Sequence, residues 1–315
     1  MSEPTIGELG EFGLIELITA DLPETPAVVI GPGDDAAGVT LESPVLVTTD
    51  VLVENVHFRR AWSTGADLGR KAIAVNVADI EAMGGRAVAV TLALSAPPDT
   101  TVAWAREFAA GVRAECAAAG VALAGGDITG AGELVVSVTA LGVTDGRAPV
   151  RRNGCRVGDV VAVRGRLGWA AAGLVVLGRG FRSPRVVVEA QRAPEVPYGA
   201  GAEAAEAGAT AMIDVSDGLL ADLGHLARAS GVTIDVTAGA FEIPEPLQAV
   251  AAATGTDPLR LVLTGGEDHA LAATFPAPDA VPDGWLVVGT VRAGDPAVLV
   301  DGEPWPDEDR GWKHF

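Results

Sequence analysis

Val45-Leu46-Val47-Thr48-Thr49-Asp50 reads as a strand that stops on a carboxylate. Its β-branched residues favour extended backbone, and Thr48, Thr49 and Asp50 place three side-chain oxygens at its end. The same device recurs along the chain. Residues 28–30 form a short apolar run halted by Gly31-Pro32-Gly33 and followed by Asp34-Asp35. Residues 121–124 run into Gly125-Gly126-Asp127, and an apolar-then-acidic run ends in Asp214-Val215-Ser216-Asp217-Gly218. A fifth acidic turn, Asn76-Val77-Ala78-Asp79, falls in a stretch over 65–83 with helical character.

Working outward, helical patterns cover 8–19, 99–119, 169–177, 200–207 and 218–229. Strand patterns cover 87–94, 134–143, 159–163, 232–236, 271–274, 285–291 and 297–300. This alternation predicts a mixed α/β fold in which strand ends repeatedly deliver an aspartate. The polar stretch over 144–158, with Gly146, Pro149, Gly154 and arginines 151, 152 and 156, reads as a boundary. It predicts two domains, 1–148 and 149–315. Residues 179–197, with Pro184, Pro194 and Pro197, read as loop. No fixed-period repeat is present, which excludes solenoids.

At 315 residues, 49% hydrophobic and 20% charged, the composition is globular. The net charge of −20 argues against nucleic acid, which requires a basic face, and against anionic lipid. No stretch reaches the roughly 18 apolar residues of a membrane span. The first twelve residues carry Glu3, Glu8 and Glu11 and no basic residue, unlike a secretory signal. Cys116 and Cys155 make neither a disulfide framework nor a zinc site, so reduced thiols and a cytoplasmic location are expected.

The chain has no Gly-x-x-x-x-Gly-Lys-[Ser/Thr] loop, no Gly-x-Gly-x-x-Gly after a strand and no protein-kinase catalytic loop. Its acidic turns suit hard divalent cations instead. Magnesium takes oxygen ligands, usually one or two carboxylates together with substrate phosphates. Any phosphate handled here is therefore expected to be handled through Mg2+. Asp34, Asp50, Asp79, Asp127, Asp214 and Asp217 are the candidate carboxylates, with Thr48, Thr49 and Ser216 as neutral oxygen donors. Taken alone each motif is an ordinary Asp turn; five of them in this arrangement are not so easily explained. No segment has the EF-hand register, and His57, His225, His269 and His314 show no i,i+4 pairing for zinc. His57 follows Asp50 closely and is placed near the cleft, whereas His225 reads as a surface or packing residue. Leu263-Thr264-Gly265-Gly266-Glu267-Asp268 is read as a strand ending in a glycine pair, and Gly311-Trp312-Lys313-His314-Phe315 as an unusually aromatic tail.

In this order and spacing the segments closely resemble the thiamine-monophosphate kinases. That family belongs to a superfamily with aminoimidazole ribonucleotide synthetase and selenophosphate synthetase. The resemblance runs over 7–315 and rests on the five turns, Arg152-x-Gly154, Gly265-Gly266-Glu267-Asp268 and the aromatic tail. It implies transfer of the ATP γ-phosphoryl group to thiamine monophosphate, with Mg2+. Asp34, Thr48, Thr49, Asp50, Asp79, Asp127, Asp214 and Asp217 are then the implied metal ligands. Gly126, Asp127, Arg152 and Ser216 are implied to meet ATP, and His57, Glu267 and Trp312 to meet the thiamine phosphate. Asp127, Arg152 and Asp217 stand at the reaction. The chain departs from the family at Ala78, where a serine is usual, and at His269, where an aromatic residue is usual.

The resemblance also implies a homodimer whose N-terminal domains close a β-barrel, with the C-terminal α/β domains outside. Four acidic turns in the first half and one in the second imply metals that join the two. A selenophosphate synthetase requires a reactive cysteine or selenocysteine and a lysine near the N-terminus, and both are missing. A carbamoylated hydrogenase-maturation relative requires a terminal cysteine, where this chain has Phe315. An aminoimidazole ribonucleotide synthetase-like enzyme and an idle metal- or nucleotide-binding protein remain as alternatives.

Overall fold

The structure is a computed structural model that describes residues 4–23, 25–31, 37–41 and 45–306. Asp34 and Trp312 lie outside the described residues, as do the acidic pair at 34–35 and the aromatic tail. The chain divides into two compact units, 1–80 with 86–146, and 81–85 with 147–315.

The first unit contains α1 (Ile6–Thr19), β1 (Val28–Ile30), β2 (Gly38–Val39), β3 (Val45–Val53), α2 (Gly65–Ala82), β4 (Arg86–Ala96), α3 (Val102–Ala119), β5 (Ala122–Gly130) and β6 (Val135–Val143). The last residues of α2 group with the second unit. Helix α1 starts two residues earlier than its apolar spacing predicts. Thr5 and Glu8 form a capping box that satisfies the first free N–H groups. Thr101 caps α3, and Gly120, with φ 66°, ends it in the left-handed conformation.

A four-stranded sheet in the order β3-β6-β4-β5 carries this unit. β3 pairs antiparallel with β6 from Val45↔Val143 to Val53↔Val135, and β4 pairs parallel with β5. Alternation buries Leu46, Leu52, Val136, Val138 and Ala140 on one face. The other face leaves Val45, Val47 and Val51 exposed, Val47 by 64%.

Three of the five acidic turns are not turns. Asp50 lies inside β3, which continues to Val53 because Val51, Leu52 and Val53 extend the ladder with Ser137, Val136 and Val135. Asp127 lies inside β5, whose pairing with β4 continues through the glycines to Gly130. Asp79 lies in the last part of α2.

The second unit contains β7 (Val160–Arg164), α4 (Trp169–Gly178), α5 (Arg185–Arg192), α6 (Ala200–Glu206), β8 (Ala211–Val215), α7 (Leu219–Ser230), β9 (Thr233–Val236), α8 (Glu245–Thr254), α9 (Pro258–Thr264), β10 (Ala270–Phe275), β11 (Leu286–Arg292), β12 (Ala297–Val300) and β13 (Glu303–Pro304). Its seven-stranded sheet has the order β13-β12-β9-β11-β7-β10-β8, with β9 and β12 the parallel pair. Small side chains dominate its core, where Ala162, Ala204, Leu271 and Ala273 are fully buried around Met212, Phe275 and Trp285.

Two expectations fail here. The proline-rich stretch read as loop contains α5, which Pro184 precedes as N-cap and which buries Val187, Val188 and Ala190. The residues before the glycine pair are not a strand but α9, which Asp257 caps by accepting the Leu259 N–H and Pro258 opens.

Candidate active site

In the first unit, two residues of α2 one helical step apart meet two residues of β3 one pleat apart. Asn76 Oδ1 accepts the Asp50 backbone N–H at 2.9 Å, and the Thr48 hydroxyl donates to Asp79 Oδ2 at 2.6 Å. An i,i+3 step on a helix rises about 4.5 Å and an i,i+2 step on a strand about 6.8 Å, so both pairs fit side by side. Asn76 is buried, and its amide is held by the Ala72 carbonyl. It therefore ties Asp50 to the helix, a role its place in the Asn-Val-Ala-Asp motif did not disclose.

Thr49 belongs to the other face of β3. Its hydroxyl donates to the Val138 carbonyl and accepts from Thr139. The structure thus separates it from Thr48 and Asp50, as period-two alternation requires. Asp127 is separated from them as well. Register places it in the row of Val51, Ser137 and Ala93, on the face away from Asp50. Three inter-strand steps of the sheet, about 14 Å, divide β5 from β3. Beside it, Gly126 lies so close to β4 that a Cβ would sit 1.9 Å from the Leu92 carbonyl oxygen. His57 ends the β3 excursion, where Nδ1 accepts the Val53 N–H at 3.0 Å.

In the second unit, the sequence from β8 into α7 is zipped to the loop over 265–269. Glu267 N–H donates to the Ser216 carbonyl at 2.7 Å, and His269 N–H to the Val215 carbonyl at 2.9 Å. Gly266 permits this approach, since a Cβ there would lie 2.5 Å from Ser216 O. Glu267 and His269 hold positive φ of 70° and 50°, an uncommon conformation for residues with side chains. Asp214 is buried, while Ser216, Asp217 and Glu267 are half-buried. Asp222 of α7 accepts the Asp217 and Gly218 N–H groups, each at 3.1 Å. Burial pushes its carboxyl up to about 7, the charges of Asp214 and Asp217 push the same way, and the two N–H groups oppose them. Asp214 and Asp217 are thus each close enough to Asp222 to repel its carboxylate. Sequence reasoning missed Asp222; its signal was an acid in the first turn of the helix that follows the acidic turn.

Arg152 is exposed, and its carbonyl accepts the Ser230 hydroxyl. His225 on α7 has its pKa lowered by burial first, then by Arg228 and Arg152, with Asp217 opposing. His225 is exposed, in keeping with its reading as a surface or packing residue, and the charges of Arg152 and Asp217 both reach it.

Asp268 anchors the same loop from behind. Its carboxylate accepts the Gly168 and Ala170 N–H groups at the start of α4, at 2.5 and 2.8 Å. Burial raises its pKa from 3.8 to about 7 against the pull of those donors. A carboxyl whose folded pKa is raised holds its proton more tightly in the folded state, so stability falls as pH rises from about 4 to about 7 and then levels. That window sets an upper limit of about 4 kcal/mol. Urea unfolding at pH 4.5, 6 and 7.5 should show this slope, and Asp268→Asn should reduce it, leaving the part due to Asp222. An equal slope in both proteins would contradict the assignment to Asp268.

Among the described residues, no three His, Cys, Asp or Glu side chains form a ready-made metal cluster. The acidic oxygens come instead in small sets: Asp50 and Asp79 with Thr48, Asp127 alone, and Asp214 and Asp217 with Asp222 nearby.

Comparison with known proteins places this arrangement. Residues 33–144 match the family model described as AIR synthase related protein, N-terminal domain, and residues 156–295 match its C-terminal domain. The thiamine-monophosphate kinase of Mycobacterium tuberculosis is 48% identical over 314 residues, covering 99% of this chain and 93% of the relative. That of Aquifex aeolicus is 36% identical and covers 98% of this chain and 99% of the relative. Among solved structures, AaThiL complexed with AMPPCP and TMP superposes with a TM-score of 0.79 at 36% identity over 98% of both chains. The thiamine-monophosphate kinase of Stenotrophomonas maltophilia K279a gives 0.82 at 34% identity over 94% of this chain and 98% of that one. Hydrogenase maturation protein HypE, at 18% identity and a TM-score of 0.72, shares the fold. Full-length identity at this level, on a chain whose two halves each match their superfamily domain, shows that the protein belongs to the thiamine-monophosphate kinase family.

Proposed function

We infer that this chain transfers the γ-phosphoryl group of ATP to thiamine monophosphate, giving thiamine diphosphate and ADP. The observation that carries this reading is 48% identity to a thiamine-monophosphate kinase over 99% of the chain. AaThiL, similar over the full length, is complexed with AMPPCP and TMP.

The donor set fits Mg2+, being all oxygen and without sulfur. Burial first, and then the like charges of Asp214 and Asp217, raise the Asp222 pKa, and a divalent cation held there would relieve that charge. In this reading Thr48, Asp50 and Asp79 serve one ion, Asp127 another phosphate-bound ion, and Asp214 with Asp217 a third position. Asp34 joins the set by resemblance alone. Thr49 is left out, because its side chain lies on the opposite face of β3 and its hydroxyl donates to the Val138 backbone carbonyl. When bound, Mg2+ neutralises the phosphate oxygens and makes the meeting of two polyanions favourable.

The protein's own groups then bind and orient. Gly126 and Ser216 approach ATP, and exposed Arg152 adds positive charge for the transferred group. His57, Glu267 and Trp312 meet the thiamine phosphate. A phosphate monoester loses its second proton near pH 6, so the acceptor oxygen is already largely ionised at neutral pH and requires no base. Positioning for in-line attack supplies the catalysis, without a phosphoenzyme. In this reading residues of 1–148 and residues of 149–315 each contribute to binding ATP, the metals and the substrate.

Acceptor choice tests the assignment. Purified protein with Mg-ATP should form thiamine diphosphate from thiamine monophosphate, and should leave free thiamine and aminoimidazole precursors untouched. Turnover of those precursors instead would favour the aminoimidazole ribonucleotide synthetase-like alternative.

The same reading makes the protein a cytoplasmic homodimer. Its cysteines are buried and unpaired among the described residues, as a reducing compartment requires, and no helix is long and apolar enough to cross a membrane. The exposed valines of β3, on an edge strand, are the surface a second copy would cover. Val47→Lys should therefore convert a dimer to a monomer in light scattering with the fold retained. An unchanged dimer mass would rule this face out as the interface.

A further inference from the structure

His269 stands immediately before β10, across from the end of β8. Leu271 pairs with Asp214 and Ala270 with Val215, so alternation places the His269 and Asp214 side chains on one face, diagonal to each other. Their contact is direct: imidazole Nδ1 lies 3.1 Å from Asp214 Oδ2, with both side chains buried. An ionised carboxylate can only accept, so this bond requires the proton on Nδ1. Among the described residues Oδ1 of Asp214 takes no hydrogen bond.

The backbone holds the ring in place. His269 adopts φ 50°, and its N–H is fixed on the Val215 carbonyl at 2.9 Å. The next-but-one residue before it, Glu267, is also at positive φ and is fixed on Ser216. Two uncommon conformations within three residues are maintained by their surroundings, and their result is to aim the imidazole at Asp214. Asp222 crowds Asp214 with like charge. A donor on Oδ2 offsets that crowding and restricts the carboxylate's rotation.

We propose that His269 is a positioning residue for Asp214, fixing Oδ2 through Nδ1–H so that Oδ1 alone is presented to a divalent cation. Partners of this kind orient a ligand and raise metal affinity, and their loss typically costs 10–100-fold. The inference rests on the reading that Asp214 holds Mg2+, and its test separates the two.

Mn2+ binding in the presence of a non-hydrolysable ATP analogue is followed by the free-ion electron paramagnetic resonance signal, with no turnover involved. His269→Phe keeps a ring and removes the donor, and should weaken binding about 10-fold. His269→Asn restores a donor at the position of Nδ1 and tolerates positive φ, and should bind within about 3-fold of the original protein. Equal binding by His269→Phe, or an Asn variant as weak as the Phe variant, overturns the proposal while leaving the metal site standing. No Mn2+ binding by the unmutated protein overturns the metal reading and the proposal with it. Because a bulky residue at positive φ can compromise folding, a second measurement uses the unmutated protein. Its imidazole 15N spectrum should show the proton on Nδ1 of His269, and an unprotonated Nδ1 refutes the bond.

Discussion

Asp127→Asn should lower kcat by at least about 1000-fold, about 4 kcal/mol of barrier, while melting temperature stays unchanged. The residue is exposed on β5 and, among the described residues, its carboxylate makes no hydrogen bond or ion pair, so removing that charge leaves the sheet intact. What it removes, in the proposed reading, is a carboxylate that would hold Mg2+. Asp50 and Asp79 cannot substitute, because β3 lies at the opposite edge of the sheet. Steady-state kinetics at saturating Mg-ATP and a thermal melt check both halves of the expectation. Activity retained within about tenfold, roughly 1.4 kcal/mol, would remove Asp127 from the essential set.

Gly126→Ala should act through the fold and then through the site. The added Cβ would stand 1.9 Å from the Leu92 carbonyl oxygen and 2.9 Å from its carbon, both backbone atoms that cannot rotate away. β5 must therefore move off β4, at the position next to Asp127. Overpacking of side chains costs about 1–3 kcal/mol, and a collision with backbone belongs at or above the upper end. Denaturant unfolding should report a loss of about 3 kcal/mol, and turnover should fall along with it. A variant of unchanged stability would mean that β4 and β5 do not approach as described.

These two neighbouring residues show how far the sequence carries. The Gly-Gly-Asp pattern singled out Gly126 and Asp127 as candidates, but it also led to the expectation of a turn. The ladder with β4 absorbs both glycines, since a strand can approach another closely when it lacks side chains. The same misjudgement arose at Asp50, where β6 supplies a partner for every residue through Val53. Local signals mark where a strand could stop; pairing with a distant strand decides whether it does. Helix α5 was hidden for a related reason. Arg185-Val186-Val187-Val188 favours strand locally, yet burial of Val187 and Val188, with the Arg185–Glu189 ion pair one turn apart, sustains a helix.

At the site, residue identity was more legible than orientation. Thr48, Thr49 and Asp50 are consecutive, so the sequence offered all three oxygens together. The pleat then turns Thr49 to the other face, while Asn76 and Asp79 select Asp50 and Thr48. The alternation was readable in principle, but only with the knowledge that the strand continues. Asp222 lay outside every acidic motif, and Asp268 drew attention only as the end of the Gly-Gly-Glu-Asp segment. Their roles follow from free N–H groups at helix starts, which no sequence pattern in this chain assigns to them.

The central claim is direct transfer from ATP to thiamine monophosphate, and a labelled γ-phosphate tests it most directly. With Mg2+ present, label from [γ-32P]ATP should appear in thiamine diphosphate, with ADP formed in equal amount and none retained on the denatured protein. Label released as inorganic phosphate, or trapped on the protein before the acceptor is added, would contradict it.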